Sequence, residues 1–227
     1  MIPLRDNVKS KSIPWINYIL VAINVYAFIS LSSLPSPELV EKYIYRNAII
    51  PLAFIGDPLA NLKPFFSSLF LHGSWFHLIG NMVFLHIFGD NVEDKFGHIA
   101  YAFFYLFCGV CASLFQIYIS SESTIPMIGA SGAIAGVLGA YIIFFPGAKV
   151  LTLVPFGFFT QIVEIPAFIF LGIWFIMQTF SGTSALYLSK AMGRDPGGIA
   201  WWAHAGGFIS GAAVALLSFI IRTFRNV

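Results

Sequence analysis

The sequence predicts an all-α, polytopic membrane protein. Of its 227 residues 58% are hydrophobic and only 10% are charged, and the mean hydropathy is +0.84. Because soluble domains carry about 25% charged residues, this chain has too little polar surface to face water on all sides. Its net charge of +2 is also too small to indicate nucleic acid binding.

Charged residues divide the chain into apolar runs, and six of these runs are long enough to cross a bilayer, which requires ~20 residues. We therefore predict six transmembrane helices, at residues 14–34, 65–88, 98–120, 130–146, 163–182 and 199–221. A seventh run, 150–163, is shorter and contains Pro155 and Gly157. These two residues favour an interfacial connection there.

Basic residues flank both ends of the predicted bundle, namely Arg5, Lys9, Lys11, Arg222 and Arg225. Cationic flanks stay in the cytoplasm, and six spans return the chain to its starting side. We therefore expect a multi-pass protein of the cell membrane, with cytoplasmic tails at 1–13 and 223–227 around one domain at 14–222. The first helix could instead be a cleaved signal peptide, but it is long for one and no clear A-x-A site follows it.

Three of the predicted helices, the second, fourth and sixth, run in the same direction and carry polar residues near their outer ends. These are His77 with Asn81 one turn further on, Ser131, and His204. Polar groups at membrane depth are costly and usually face the bundle interior or a water-filled cavity. We therefore predict one shared site, in which a histidine could act as the base that activates a serine hydroxyl.

The fourth predicted helix is unusually short. Pro126 and Gly129 precede Ser131, and Pro146 ends the run, which leaves ~16 regular residues or about 24 Å. Residues 123–129 must then enter the membrane as irregular backbone, which is tolerated only inside protein or beside water. The helix N-terminus that follows would offer free N–H groups to an oxyanion.

Small residues favour close packing of the fourth and sixth helices. Gly136 lies one turn after Gly132, and Gly207 and Gly211 have the GxxxG spacing that lets membrane helices approach each other. If these faces meet, Ser131 comes within contact range of His204. A serine and a histidine that merely pack helices are the alternative interpretation.

Three segments carry a resemblance to a known family. "HGSWFHLIGN" at 72–81, "GASG" at 129–132 and "AHAGGFISG" at 203–211 resemble the motifs of rhomboid intramembrane serine proteases. "GDNVEDKFG", with Glu93, is similar to that family's loop after the second helix. The resemblance extends in order over about residues 14–222.

The resemblance implies a six-helix bundle with a short central fourth helix and a Ser131–His204 catalytic dyad. It implies hydrolysis of peptide bonds in or near the transmembrane segments of single-span proteins within the lipid bilayer. It assigns oxyanion or supporting roles to His72, His77, Asn81, Gly129 and Gly132, and helix packing to Gly136, Gly207 and Gly211. We expect no cofactor and no metal. The sequence does not indicate which oligomeric state the protein adopts.

A substrate gate is also implied by the resemblance, at the fifth helix and the loop that follows it. Trp174 and Phe175, together with Met177 and Gln178, could border that gate. The glycine-rich segment "GRDPGG" at 193–198 could cap it.

The chain departs from the family pattern in two places. Many members have an aromatic residue four positions after the serine that stacks on the catalytic histidine, whereas this chain has Ala135. Trp201 or Trp202 would then have to orient His204. Residues 35–63 lack the Trp–Arg pair that many members carry, although their amphipathic character is compatible with the outer interface.

Two alternatives come from other functional classes. A non-catalytic rhomboid-like protein would bind transmembrane clients without cutting them, although such proteins usually lack the serine or the histidine. A small transporter would call for acidic residues at the midplane or an internal repeat, and the sequence has neither. Cys108 and Cys111 could form a redox pair or, as small packing residues, lie on a membrane helix.

Overall fold

The computed structural model describes residues 1–156, 159–192 and 198–225, which are mostly helical. The helices are α1 (Trp15–Ser32), α2 (Pro37–Asn47), α3 (Pro51–Gly56), α4 (Pro64–Ser67), α5 (Trp75–Phe96), α6 (His98–Ile119), α7 (Ser131–Phe144), α8 (Ala167–Met192) and α9 (Trp201–Arg225), with a 3₁₀ turn at Ser68–Phe70. Within these ranges, four helices are long and apolar enough to cross a membrane, namely α1, α6, α8 and α9.

The helix prediction was wrong at the edges of two elements. The second helix does not begin at residue 65, because Pro64–Phe70 forms a short helix and a 3₁₀ turn. Ser74 then caps α5 by accepting a hydrogen bond from the His77 N–H, and the helix continues to Phe96. The fifth helix begins at Ala167 rather than 163 and continues ten residues past the predicted 182, to Met192.

The all-α prediction missed a three-stranded antiparallel sheet in the order β1-β2-β3, made of β1 (Ile2–Asp6), β2 (Lys149–Phe156) and β3 (Phe159–Pro166). The segment predicted as an interfacial connection lies within the antiparallel strands β2 and β3. Its residues include the β-branched and aromatic types that favour strands. Strand β1 comes from residues that were predicted to form a terminal tail. It pairs with β2, with Ile2 opposite Leu153 and Asp6 opposite Val150.

Helix α7 is the centre of the fold. Every residue from Gly132 to Tyr141 is buried, and α7 packs against α5, α6, α8 and α9. Between α6 and α7 the chain is irregular. Hydrogen bonds anchor its backbone at two points: Met127 exchanges hydrogen bonds with Ile49, and the Gly129 N–H donates to the carbonyl of Ser68. This segment matches the expected irregular stretch before the serine.

Glycines allow α7 and α9 to touch through their backbones, as the sequence predicted. A Cβ atom added at Gly207 would lie 2.0 Å from the carbonyl oxygen of Gly132. One added at Gly211 would lie 1.9 Å from that of Gly136. No side chain fits at that separation, so this contact requires glycine at both positions.

A buried polar network ties α1 to α5 and α6 at the opposite end of the bundle from the serine. Glu93 accepts hydrogen bonds from the backbone N–H groups of Ile16 (3.0 Å) and Asn17 (2.8 Å). It therefore caps α1, whose N-cap residue Pro14 supplies no side-chain acceptor. Tyr101 donates to the Asn17 side chain at 2.9 Å, which completes the connection to α6.

We expect Gly211→Ala to destabilise the protein by about 1–3 kcal/mol, since the added methyl group must push two helices apart. At about 2–4 °C per kcal/mol for a chain of this size, the thermal midpoint in detergent should fall by several degrees. Gly172→Ala is the matched control, because nothing lies within 4 Å of its added Cβ and alanine favours a helix interior. Equal midpoints for the two variants would contradict backbone contact between α7 and α9.

Asp6 predicts a pH dependence of stability. The carboxylate is hydrogen-bonded by the hydroxyl of Tyr141 and by Asn91 at 3.0 Å. Burial nevertheless raises the pKa of Asp6 above its ordinary value of 3.8. The folded state therefore holds this proton more tightly than the unfolded state. The stability that the protonated Asp6 contributes is complete at pH values below 3.8. It is lost as the pH rises through the folded-state pKa of Asp6.

The variant Asp6→Asn keeps an acceptor for both donors and removes the charge. Its free energy of unfolding in detergent should gain on that of the wild type as the pH rises from about 4 to about 7. A difference between the two proteins that stays constant over this range would contradict the burial of a charged carboxylate.

Candidate active site

Ser131 and His204 are in direct contact. Ser131 is the first residue of α7 and His204 lies in the first turn of α9. The Oγ atom of Ser131 is 2.7 Å from the Nε2 atom of His204. Ser131 is half-buried and His204 is buried, so the structure brings together the two residues that the sequence placed at one depth.

The second ring nitrogen of His204 contacts a residue from a third helix. Its Nδ1 atom lies 2.7 Å from the Oε1 atom of Gln178 on α8. The family resemblance places Gln178 only at the border of a gate. The signal that could have identified it is the one used for the other site residues, a polar side chain within a long apolar run.

Two tryptophans flank the imidazole. The ring of Trp174 lies 5.9 Å from that of His204 at an interplanar angle of 33°, and Trp201 meets it edge-on at 6.2 Å. Of the two residues expected to orient the histidine, Trp201 is therefore adjacent to it. Trp202 packs against Phe115 instead, with ring centroids 6.3 Å apart.

The polar residues of α5 face the loop that leads into Ser131. Asn81 donates from Nδ2 to Nε2 of the buried His72 at 2.9 Å, and the ring of His72 meets that of His77 at 4.9 Å. Gly129 has a φ of +122°, and a Cβ added there would lie 2.7 Å from Nε2 of His77. The close approach of His77 to this backbone therefore needs glycine at 129.

The glycines of α7 serve helix packing. A Cβ at Gly132 would lie 2.7 Å from that of Ala112, and one at Gly136 would lie 2.4 Å from that of Cys108. Both Cys108 and Cys111 are free thiols, which agrees with small packing residues on α6. Gly132 also belongs to the first turn of α7, where backbone N–H groups lack a partner within the helix.

A cavity of about 1360 Å³ opens over the serine and the histidine. Its lining includes His77, Asn81, Trp174 and Gln178, together with the polar segment 120–124. The cavity therefore leaves one side of the half-buried Ser131 accessible.

The predicted gate residues lie in different surroundings. Trp174 lines the cavity, whereas Phe175 stacks on Phe208 with ring centroids 4.8 Å apart. The predicted cap, "GRDPGG" at 193–198, lies outside the described residues except for Gly198.

This arrangement is suited to acyl transfer. A hydroxyl lies within hydrogen-bond distance of an imidazole that can take its proton. His77 and Asn81 lie beside Gly129, two residues before the serine, and line the same cavity. Together with the first turn of α7 they supply nitrogen atoms to the cavity in which negative charge would develop on a carbonyl oxygen.

Comparison with known proteins gives a family match and several partial relatives. Residues 60–221 match the Rhomboid domain family. Rhomboid protein 1, mitochondrial, of Saccharomyces cerevisiae is 28% identical over 141 residues, which cover 60% of this chain and 38% of the yeast protein. Rhomboid-like protein 11, chloroplastic, of Arabidopsis thaliana is 39% identical over 72 residues, which cover 32% and 25% of the two chains.

RHOMBOID-like protein 5 of Arabidopsis thaliana is 36% identical over 74 residues, which cover 33% of this chain and 24% of the plant protein. The matched regions thus span between about a quarter and two fifths of the length of these three relatives.

Gly129→Ala should reduce labelling of Ser131 by a fluorophosphonate probe about tenfold, the effect that 1–2 kcal/mol of backbone strain would have. The reason is that alanine is strained at a φ of +122° and its Cβ would displace His77. The matched control is Gly73→Ala, whose added Cβ would meet only Ile128 at an ordinary 3.8 Å. Labelling of Gly129→Ala at the rate of the control would show that this loop does not shape the site.

Proposed function

The chain belongs to the rhomboid family, and from this premise we propose that it is an intramembrane serine endopeptidase. The observation that carries the proposal is the 2.7 Å contact between Ser131 Oγ and His204 Nε2 at the floor of a cavity. A packing role for the serine would need neither the histidine nor an open cavity above the hydroxyl.

The proposed reaction begins when His204 Nε2 takes the proton of Ser131. The serine Oγ then forms a bond to the carbonyl carbon of the scissile peptide, whose oxygen becomes negatively charged. Asn81, His77 and the N–H groups at the start of α7 would stabilise that oxyanion. His204 returns the proton to the leaving nitrogen as the C–N bond breaks. His204 then takes a proton from a water molecule whose oxygen bonds to the carbonyl carbon, and it passes that proton to Ser131 Oγ as the ester C–O bond breaks.

We further propose that the chain crosses the membrane six times. The four apolar helices α1, α6, α8 and α9 would be joined by α5 and by a short, central α7. Two features support this: α5 is 22 residues long, and the 14-residue α7 is enclosed by its neighbours and needs no contact with lipid. The several long apolar helices and the rhomboid family support a multi-pass membrane protein.

Both termini are proposed to face the cytoplasm, with the protein in the cell membrane. Basic residues at the two ends of the chain support this orientation. The names of two relatives contain the words mitochondrial and chloroplastic. The charges of this chain bear on its orientation and not on which membrane it occupies.

The proposed substrates are single-span membrane proteins. A helix hides its carbonyl groups in internal hydrogen bonds, so the target segment must unwind locally before attack. The cavity, lined by residues of both α5 and α8, offers space for an extended strand beside Ser131. We propose that Trp174 borders the route by which that strand arrives.

Replacement of Ser131 or His204 by alanine should abolish cleavage of a transmembrane test substrate in liposomes. A loss of at least about 10³-fold is expected, because either residue is essential to proton transfer and attack. Fluorophosphonate labelling of the wild type alone would identify Ser131 as the nucleophile. Ser210→Ala, on the same helix as His204, is the matched control and should keep full activity.

Two results would count against the proposal. Cleavage that survives Ser131→Ala would show that another group performs the reaction. A well-folded wild type that neither cleaves nor reacts with two different serine-directed probes would indicate a non-catalytic rhomboid-like protein that binds transmembrane clients.

A further inference from the structure

We infer that Gln178 is a positioning residue that fixes the tautomer and the orientation of His204, which extends the pair to a Ser131–His204–Gln178 chain. This inference rests on the proposed function. It concerns how the base is held, which the family resemblance left open because Ala135 stands where an aromatic residue would stack on the histidine.

The geometry places the imidazole between two partners. Its Nδ1 lies 2.7 Å from Gln178 Oε1 and its Nε2 lies 2.7 Å from Ser131 Oγ. The three residues come from α8, α9 and α7 respectively. These two contacts, one at each nitrogen, fix the direction in which Nε2 points.

The chemistry of the amide determines which nitrogen carries the proton. An amide oxygen can only accept a hydrogen bond. Nδ1 must therefore carry the N–H, which leaves Nε2 with a lone pair directed at the serine hydroxyl. This is the tautomer that a general base needs. Without Gln178, the ring could carry its proton on Nε2 and would then be unable to accept the proton of Ser131.

An amide is well suited to this position. A carboxylate in the same place would have to be buried as a charge among apolar helices, which is far more costly than burying a neutral amide with a partner. When His204 becomes an imidazolium during the reaction, both nitrogens donate. The oxygen of Gln178 can keep the Nδ1–H hydrogen bond throughout.

The surroundings of Gln178 on α8 support a specific role. The buried residues of this largely exposed helix are Ala167, Phe170, Leu171, Gln178 and Gly182. A Cβ added at Gly182, one turn after Gln178, would lie 3.0 Å from the indole of Trp202. The glycine therefore lets α8 lie close to α9, which allows the Gln178 side chain to reach the imidazole. Packing alone would be served as well by leucine at 178.

The first test is steady-state cleavage in liposomes by Gln178→Leu, Gln178→Glu and Ile176→Leu. Leucine removes the acceptor, so kcat should fall about tenfold or more, the effect of losing one buried hydrogen bond, with KM changed less than about twofold. At this buried position the glutamate carboxyl is protonated rather than charged. Its carbonyl oxygen restores an acceptor, so Gln178→Glu should recover part of kcat. Ile176 is exposed on the same helix, and Ile176→Leu should match the wild type.

The second test does not need activity. In protein labelled with ¹⁵N-histidine in micelles near neutral pH, the resonances of His204 should show Nδ1 protonated and Nε2 bare. In Gln178→Leu the two tautomers should mix. The resonances that are missing from the spectrum of His204→Ala are those of His204.

The outcomes separate this inference from the proposed function. A kcat for Gln178→Leu equal to that of the wild type, while Ser131→Ala is inactive, would overturn the role of Gln178 and leave the proposed function standing. The role of Gln178 would also be overturned if the wild-type His204 carried its proton on Nε2. An inactive wild type would overturn the proposed function, and the tautomer measurement would still decide whether Gln178 holds the ring.

Discussion

The site depends on backbone contact between α7 and α9. Glycines at 207 and 211 meet the carbonyl oxygens of Gly132 and Gly136 at distances that leave no space for a Cβ atom. This contact sets the separation of the two helices, and the separation sets the distance between Ser131 at the start of one and His204 near the start of the other. Any larger residue along this line would widen the gap that the hydrogen bond has to bridge.

Two groups of hydrogen-bonded polar side chains lie at opposite ends of the bundle. The group at the start of α7 contains Ser131, His204 and Gln178, and beside them the hydrogen-bonded pair of His72 and Asn81. The group at the other end contains Glu93, Asn17 and Tyr101, which join α1 to α5 and α6. An unpaired polar group costs most where water is absent. The pairing of these groups therefore specifies how the helices are arranged as well as what they do.

The site residues could be predicted from the sequence because polar groups in an apolar chain are energetically costly. Ser131, His204, His77 and Asn81 were identified because each is costly at membrane depth, and the glycine spacing predicted which helices meet. The strands were missed because Pro155 and Gly157 favoured an irregular connection at 150–163, and because nothing local in the first residues shows that they pair with that segment. The N-terminus of α5 was misplaced because the apolar residues from Phe65 continue through a turn. Gln178 was not assigned its contact because a periodic pattern does not show which side chain reaches a neighbouring helix.

The enclosure of α7 has a consequence for how the protein responds to different bilayers. A transmembrane helix that faces lipid must match the hydrocarbon thickness of ~30 Å by tilting or by deforming the bilayer. The 14 residues of α7 amount to only about 21 Å, yet its buried residues face other helices. The outer helices would adjust to a thinner or thicker membrane while the serine keeps its depth relative to the fold. The distance from Ser131 to the membrane surface would then vary with lipid composition, and with it the stretch of a substrate that reaches the serine.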